Sequence, residues 1–155
     1  LARSLATYSQ TEGTGPGGQE MAAVNVRCRA LIVDDNHDSA DTMSMMLQML
    51  GHETECIYDP RQTTDAVASF DPDIVFLDIG MPGLSGYDVA RGLRAAAGPQ
   101  LTLVAITGWG HAEDRRRTAE AGFDHHLVKP ADLAVLADLI ARSPAAEPRP
   151  ARANA

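Results

Sequence analysis

Asp73-Ile74-Val75-Phe76-Leu77-Asp78-Ile79-Gly80-Met81-Pro82-Gly83 is the stretch whose reading decides the fold. Ile74 to Leu77 is short and wholly apolar, which suits a strand buried on both faces of a parallel sheet. The run stops at a carboxylate, Asp78, and Pro82, Gly83, Ser85 and Gly86 then force the chain out of the strand. A charged side chain therefore sits at the carboxyl edge of a hydrophobic strand, where open α/β sheets collect ligands. Taken alone, Asp78 serves equally well as the cap of the next turn, so the other strand ends carry the argument.

Working outward, Arg29 to Val33 reads as a first strand that ends on Asp34-Asp35-Asn36. Met43, Met46, Leu47 and Leu50 fall at helical spacing, predicting an amphipathic helix over about 38–50 closed by Gly51. Glu53 to Ile57 is a weaker strand. Asp59-Pro60 opens a helix whose buried face is Thr63, Ala66, Val67 and Phe70. After the central strand, Ser85 to Asp88 resembles a capping box, and the helix it starts turns Val89, Ala90 and Leu93 inward. Leu101 to Ile106 is a fourth strand ending on Thr107. A helix over about 113–121 carries three arginines and little apolar surface. Asp124 to Val128 is a fifth strand ending on Lys129-Pro130, and Leu133, Leu136, Ala137 and Ile140 mark a last helix. Strands alternating with helices imply an α/β, doubly wound parallel sheet covered on both faces.

Composition bounds the rest. With 155 residues, 45% of them hydrophobic, the chain holds one domain with a core, plus tails. Residues 1–27 read as a flexible linker, 28–142 as the domain, and 143–155 as a disordered tail. The net charge of −8 argues against direct nucleic-acid contact. No run is long enough to span a bilayer, and the domain is expected to make no membrane contact; the free thiols Cys28 and Cys56 read as a reducing, cytoplasmic setting. Starting at Leu1 rather than Met, the chain is expected to be a fragment, and a membrane-anchored parent stays open. Cys28 and Cys56 lack metal or redox spacing and read as free thiols.

Parallel strands place their carboxyl ends on one edge. That edge gathers Asp34, Asp35, Asp78, Thr107 and Lys129. Three converging carboxylates repel one another and need cations. Lys129 supplies one, and Mg²⁺ suits a site of carboxylates, a carbonyl and waters. A carboxylate flanked by cations suits transfer of a phosphoryl group to an aspartate.

Val33-Asp34-Asp35, the Leu77 to Gly86 segment, Ile106-Thr107-Gly108 and Val128-Lys129-Pro130 together resemble the receiver domain of two-component response regulators. The resemblance spans about residues 28–142 in order and spacing. It implies a flavodoxin-like (βα)5 three-layer sandwich with strand order 2-1-3-4-5, the order the general rule for this fold class illustrates with a chemotaxis receiver. It implies Asp78 as phosphoacceptor, taking phosphate from a histidine kinase or histidine phosphotransfer domain. Asp35, Asp78 and the Gly80 carbonyl would hold Mg²⁺, with Asp34 acting through metal-bound water. Lys129 and Thr107 would bind phosphoryl oxygens, and a cis Lys129-Pro130 bond is expected. Thr107 and position 126 would form the switch, but His126 stands where the family usually has a phenyl or phenol ring.

The parent is expected to be a hybrid sensor histidine kinase with this receiver at its carboxyl end; a free-standing single-domain regulator is the alternative. Self-association through the 101–142 face is a further expectation. A degenerate receiver that only binds partners is disfavoured because all five site residues are present. A flavin-binding protein of the same fold would need a phosphate cradle where acidic Asp34 and Asp35 stand. Ser85-Gly86 lacks the spacing of a hydrolase nucleophile elbow. Arg115, Arg116 and Arg117 read as a solvated helix face, Trp109 as loop packing or an interaction surface, and His125-His126 as side chains on opposite strand faces rather than a shared metal site.

Overall fold

Strand β3 (Ile74–Asp78) is buried along its whole length and lies at the centre of a five-stranded sheet. Around it run β1 (Arg29–Val33), β2 (Glu53–Ile57), β4 (Thr102–Thr107) and β5 (His125–Val128). All pairings are parallel, in the order β2-β1-β3-β4-β5. The computed structural model describes residues 27–108 and 112–142, the side chains of 112–114 excepted. The expected linker over 1–27, save Arg27, the loop residue Trp109 and the tail over 143–155 lie outside the described residues.

Alternation along the strands divides the core in two. On one face, Ala30, Ile32, Ile74, Phe76, Val104 and Ile106 pack against α1 (His37–Met49) and α5 (Leu133–Arg142). On the other, Leu31, Val33, Val75, Leu77, Leu103 and Ala105 meet α2 (Thr63–Phe70), α3 (Gly86–Ala97) and α4 (Ala112–Ala121). The covered parallel sheet is thus what the alternation of strands and helices anticipates, and the flavodoxin-like order is what the family resemblance implies.

Several local expectations differ in detail. Pro60 to Gln62 form a short 3-10 turn before α2, because the Thr63 hydroxyl donates to the Pro60 carbonyl at 2.7 Å and tightens the entry. Val67 and Phe70 are only half-buried, since β2 is an edge strand with little surface to offer them. At α3, Ser85 accepts from the Tyr87 and Asp88 amides. Asp88 pairs with Arg91 at 2.7 Å instead of closing a capping box. In α5, Leu139 is buried where Leu133 was expected; Leu133, the first residue of the helix, is exposed.

The amino edge of the sheet is pinned by Arg94. Its guanidinium donates to the carbonyls of Gly98, Leu101 and Gly122 and to the Asp124 carboxylate, at 2.6–3.2 Å. One side chain thereby ties α3 to the starts of β4 and β5. Arg94→Ala is expected to cost about 2–4 kcal/mol in urea unfolding, because several carbonyls lose a charged donor at once. Arg94→Lys should recover little, since an ammonium cannot span the fork. A loss below about 1 kcal/mol would mean that water replaces the guanidinium without penalty.

Candidate functional site

The carboxyl edge brings the acids together because β1 and β3 are neighbours and both end on aspartate. Asp34 is 1% exposed and Asp78 7%, whereas Asp35, one residue further along the turn, is exposed. Carboxylate oxygens of Asp34, Asp35 and Asp78 lie within 4.8 Å of one another, and among the described residues this is the group with metal-ligand spacing. His125 and His126 form no such group there.

Lys129 reaches the acids from the far side of the chain. Its Nζ donates to Asp34 Oδ2 and to Asp78 Oδ2, each at 3.0 Å. Its backbone N–H donates to the Thr107 carbonyl at 2.8 Å, and the Lys129-Pro130 bond that follows is cis, as the resemblance implies. The second oxygens are held by main chain: Asn36 N–H donates to Asp34 Oδ1 at 3.0 Å, and Gly80 N–H to Asp78 Oδ1 at 2.8 Å. Thr107 is 4% exposed, and its hydroxyl lies 3.2 Å from His126 Nε2.

The electrostatics separate the two buried acids. Burial pushes the Asp78 carboxyl up, and Asp34 pushes the same way; the Gly80 amide and Lys129 oppose them, and the net shift is upward. Burial also raises Asp34, but the Asn36 amide, Asp78 and Lys129 outweigh it and hold that carboxyl below its usual value. Burial lowers Lys129, yet the two aspartates prevail and keep it charged. The pair titrates as a unit, with the proton favouring Asp78. Three carboxylates against one ammonium leave a surplus of negative charge, which a divalent cation bound through oxygen would neutralise.

The loop after β3 is fitted closely to the site. A Cβ at Gly80 would stand 3.4 Å from Asp78 Oδ1, and one at Gly86 would stand 2.7 Å from Ile79 Cα. Only glycine at 86 lets α3 start so close beneath this loop. At the start of α1 is a group the sequence did not signal. The His37 ring stacks on Tyr58 at 3.7 Å, and the Tyr58 hydroxyl donates to Asp41 at 2.6 Å. That hydrogen bond pushes the Tyr58 phenol up to about 12. Residues 37 and 41 lie on α1 and Tyr58 follows β2, with no shared motif, so only the packing of α1 beside β2 reveals them.

The arginine run on α4 is exposed at 115–117, as expected, but Arg117 also lies 4.4 Å over the Tyr87 ring, joining α4 to α3. Cys28 and Cys56 are free thiols. Burial, then Asp73, push Cys28 up to about 12, so it behaves as a small apolar group. No described helix is long and apolar enough to cross a membrane.

Comparison with known proteins agrees with this geometry. The family model described as the response regulator receiver domain matches residues 30–141. The DNA-binding response regulator MtrA of Mycobacterium tuberculosis H37Rv is 36% identical over 105 residues, which are 68% of this chain and 45% of that protein. The response regulator MprA of Mycolicibacterium vanbaalenii is 35% identical over 114 residues, 74% of this chain and 48% of that one. The chain thus spans about half the length of the curated relatives it matches. Among solved structures, a CheY-like receiver domain from Methylobacillus flagellatus has a TM-score of 0.64 at 29% identity, covering 74% of this chain and 96% of that one. The chemotaxis protein CheY4 of Vibrio cholerae has a TM-score of 0.69 at 24% identity, covering 75% and 98%, a likeness of fold.

Proposed function

Given that this chain belongs to the response regulator receiver domain family, we propose that it accepts a phosphoryl group on Asp78 from a phosphohistidine of a histidine kinase or histidine phosphotransfer domain. The observation that carries the reading is Lys129 Nζ, 3.0 Å from both Asp34 and Asp78, with Asp35 within ligating reach of the same two acids. Asp35, Asp78 and the Gly80 carbonyl would hold Mg²⁺, and Asp34 would contribute beside it. Bound there, the cation would offset charge on the transferring phosphoryl group.

The chain's own residues supply the rest. The Gly80 amide fixes one Asp78 oxygen and Lys129 the other, so the nucleophile is oriented before the donor arrives. Lys129 then pairs with a phosphoryl oxygen, and the Thr107 hydroxyl with another. The added charge biases the surface formed by β4, α4, β5 and α5.

Transfer of label from a phosphorylated histidine donor tests the proposal. Wild-type protein should take up label in Mg²⁺ and lose that ability in chelator; label uptake unaffected by chelator would reject the metal assignment.

Gly80 adds a prediction about lifetime. Because a Cβ there meets Asp78 Oδ1 at 3.4 Å, any side chain at 80 borders the path of attacking water. Gly80→Asn and Gly80→Arg are expected to change the autodephosphorylation rate by about tenfold or more, the scale of one to two hydrogen bonds at the reacting group. Unchanged decay in both variants would count against this.

The parent context is a separate matter. The relatives MtrA and MprA are response regulators, which supports a receiver serving a regulator's output. A hybrid sensor kinase remains the competing context, and the site chemistry is common to both. The reading frame upstream and downstream of this segment distinguishes them.

A further inference from the structure

We propose that Tyr58 is a positioning residue for the metal site: stacked on His37, it braces the turn that carries Asp35 and keeps that carboxylate where a Mg²⁺ ligand has to stand. The inference rests on the metal reading above and deepens it.

The need for a brace comes from Asp35 itself. Asp34 and Asp78 are each held by a backbone amide and by Lys129. Asp35 is exposed, and among the described residues no hydrogen bond or ion pair reaches its carboxylate. One of its oxygens nevertheless lies within 4.8 Å of the ligand atoms of Asp34 and Asp78. The backbone on either side has to fix that position.

The end of β2 grips both sides. Before Asp35, the Asp34 N–H donates to the Ile57 carbonyl at 3.1 Å. After it, Asn36 caps α1 by accepting from the Ser39 N–H at 3.0 Å. His37, the first residue of α1, then lays its ring on that of Tyr58, with centroids 3.7 Å apart and planes 9° from parallel. Asp41, one turn further along the same face of α1, accepts the Tyr58 hydroxyl at 2.6 Å. The phenol is therefore held by its face and by its hydroxyl at once. Consecutive residues, Ile57 and Tyr58, clamp Asp34 and His37, which flank the 35–36 turn. Helix ends fray, so a ring laid against the first residue of α1 acts where the turn is most free to move. Mg²⁺ tolerates little departure from its preferred geometry, and partners that orient its ligands weigh on affinity.

The test is a Mg²⁺ titration of the metal-free protein, followed by the ¹H–¹⁵N amide resonances of Asp35 and Gly80. Tyr58→Ala and His37→Ala should each bind Mg²⁺ about 3- to 10-fold more weakly than wild type, the scale of one lost aromatic pair. His37→Phe, which renews the stack, should stay within about twofold of wild type. Melting temperatures in chelator are measured beside each titration. A ring that only stabilised the fold would lower them and leave the Mg²⁺ affinity of the folded protein unchanged. Should Tyr58→Ala fail to fold, the two substitutions at exposed His37 decide the matter. Wild-type affinity in His37→Ala or in folded Tyr58→Ala overturns the inference, as does equal weakening in His37→Phe and His37→Ala. Wild-type protein that binds no Mg²⁺ at millimolar concentration overturns the metal reading itself, so the two failures are distinct.

Discussion

Asp78→Asn is expected to abolish phosphoryl acceptance and yet to raise the melting temperature of the metal-free protein at neutral pH by a few degrees. Both effects come from the same carboxylate. Its ionised form is the nucleophile, so the amide cannot react. Its ionisation is also what the fold resists, because burial and Asp34 hold its pKa above the ordinary carboxylate value. A carboxyl raised on folding contributes stability below its unfolded pKa and loses it as pH climbs through the folded value. Removing the ionisable group removes that loss, and the advantage of the variant should fade below about pH 4. Asp34 has the opposite sign: its folded pKa is depressed, so its contribution is present at neutral pH and is lost on acidification. Thermal melts of both proteins from pH 3 to 8 in chelator check this. A variant less stable than wild type at pH 7 would mean that the Lys129 contact outweighs the burial of Asp78. Mg²⁺ should raise the melting temperature of wild type and do far less for the variant.

Lys129→Met is expected to fail in two ways. It removes the ammonium shared by Asp34 and Asp78, leaving buried carboxylates with main-chain partners alone. Breaking a fully buried pair costs about 3–5 kcal/mol; Lys129 is partly solvated, so about 1–3 kcal/mol is expected here at pH 7 without metal. Millimolar Mg²⁺ should recover much of that stability, because the cation takes over the neutralising role. It should not recover function, since Lys129 is also the group assigned to a phosphoryl oxygen. Urea unfolding with and without Mg²⁺ measures the first effect and label uptake the second. Equal destabilisation in both conditions would show that the ammonium and the metal do not serve the same charges.

The central strand was legible because burial on both faces leaves only apolar residues, and the helices because their inward positions recur at helical spacing. Edges were less legible. β2 carries Glu53, Thr54 and Glu55, since an edge strand answers to solvent on one side. Leu133 and Leu139 exchange roles in α5 because periodicity gives a stripe but not the angle at which it meets the sheet. The acids and Lys129 could be gathered from the parallel rule alone, although Lys129 and Asp34 are 95 residues apart. The two-pronged contact of Lys129 needed coordinates, as did the Thr107–His126 bond and the stack of His37 on Tyr58. These depend on χ angles and cross-strand register, which no spacing in the chain encodes.

Borohydride trapping after treatment with a small-molecule phosphodonor and Mg²⁺ tests the central assignment most directly. Reduction converts an aspartyl phosphate to homoserine, and peptide mapping locates it. The account predicts homoserine at position 78 only, absent when the reaction is run in chelator. Homoserine at Asp34 or Asp35, or none anywhere in wild-type protein, would contradict it.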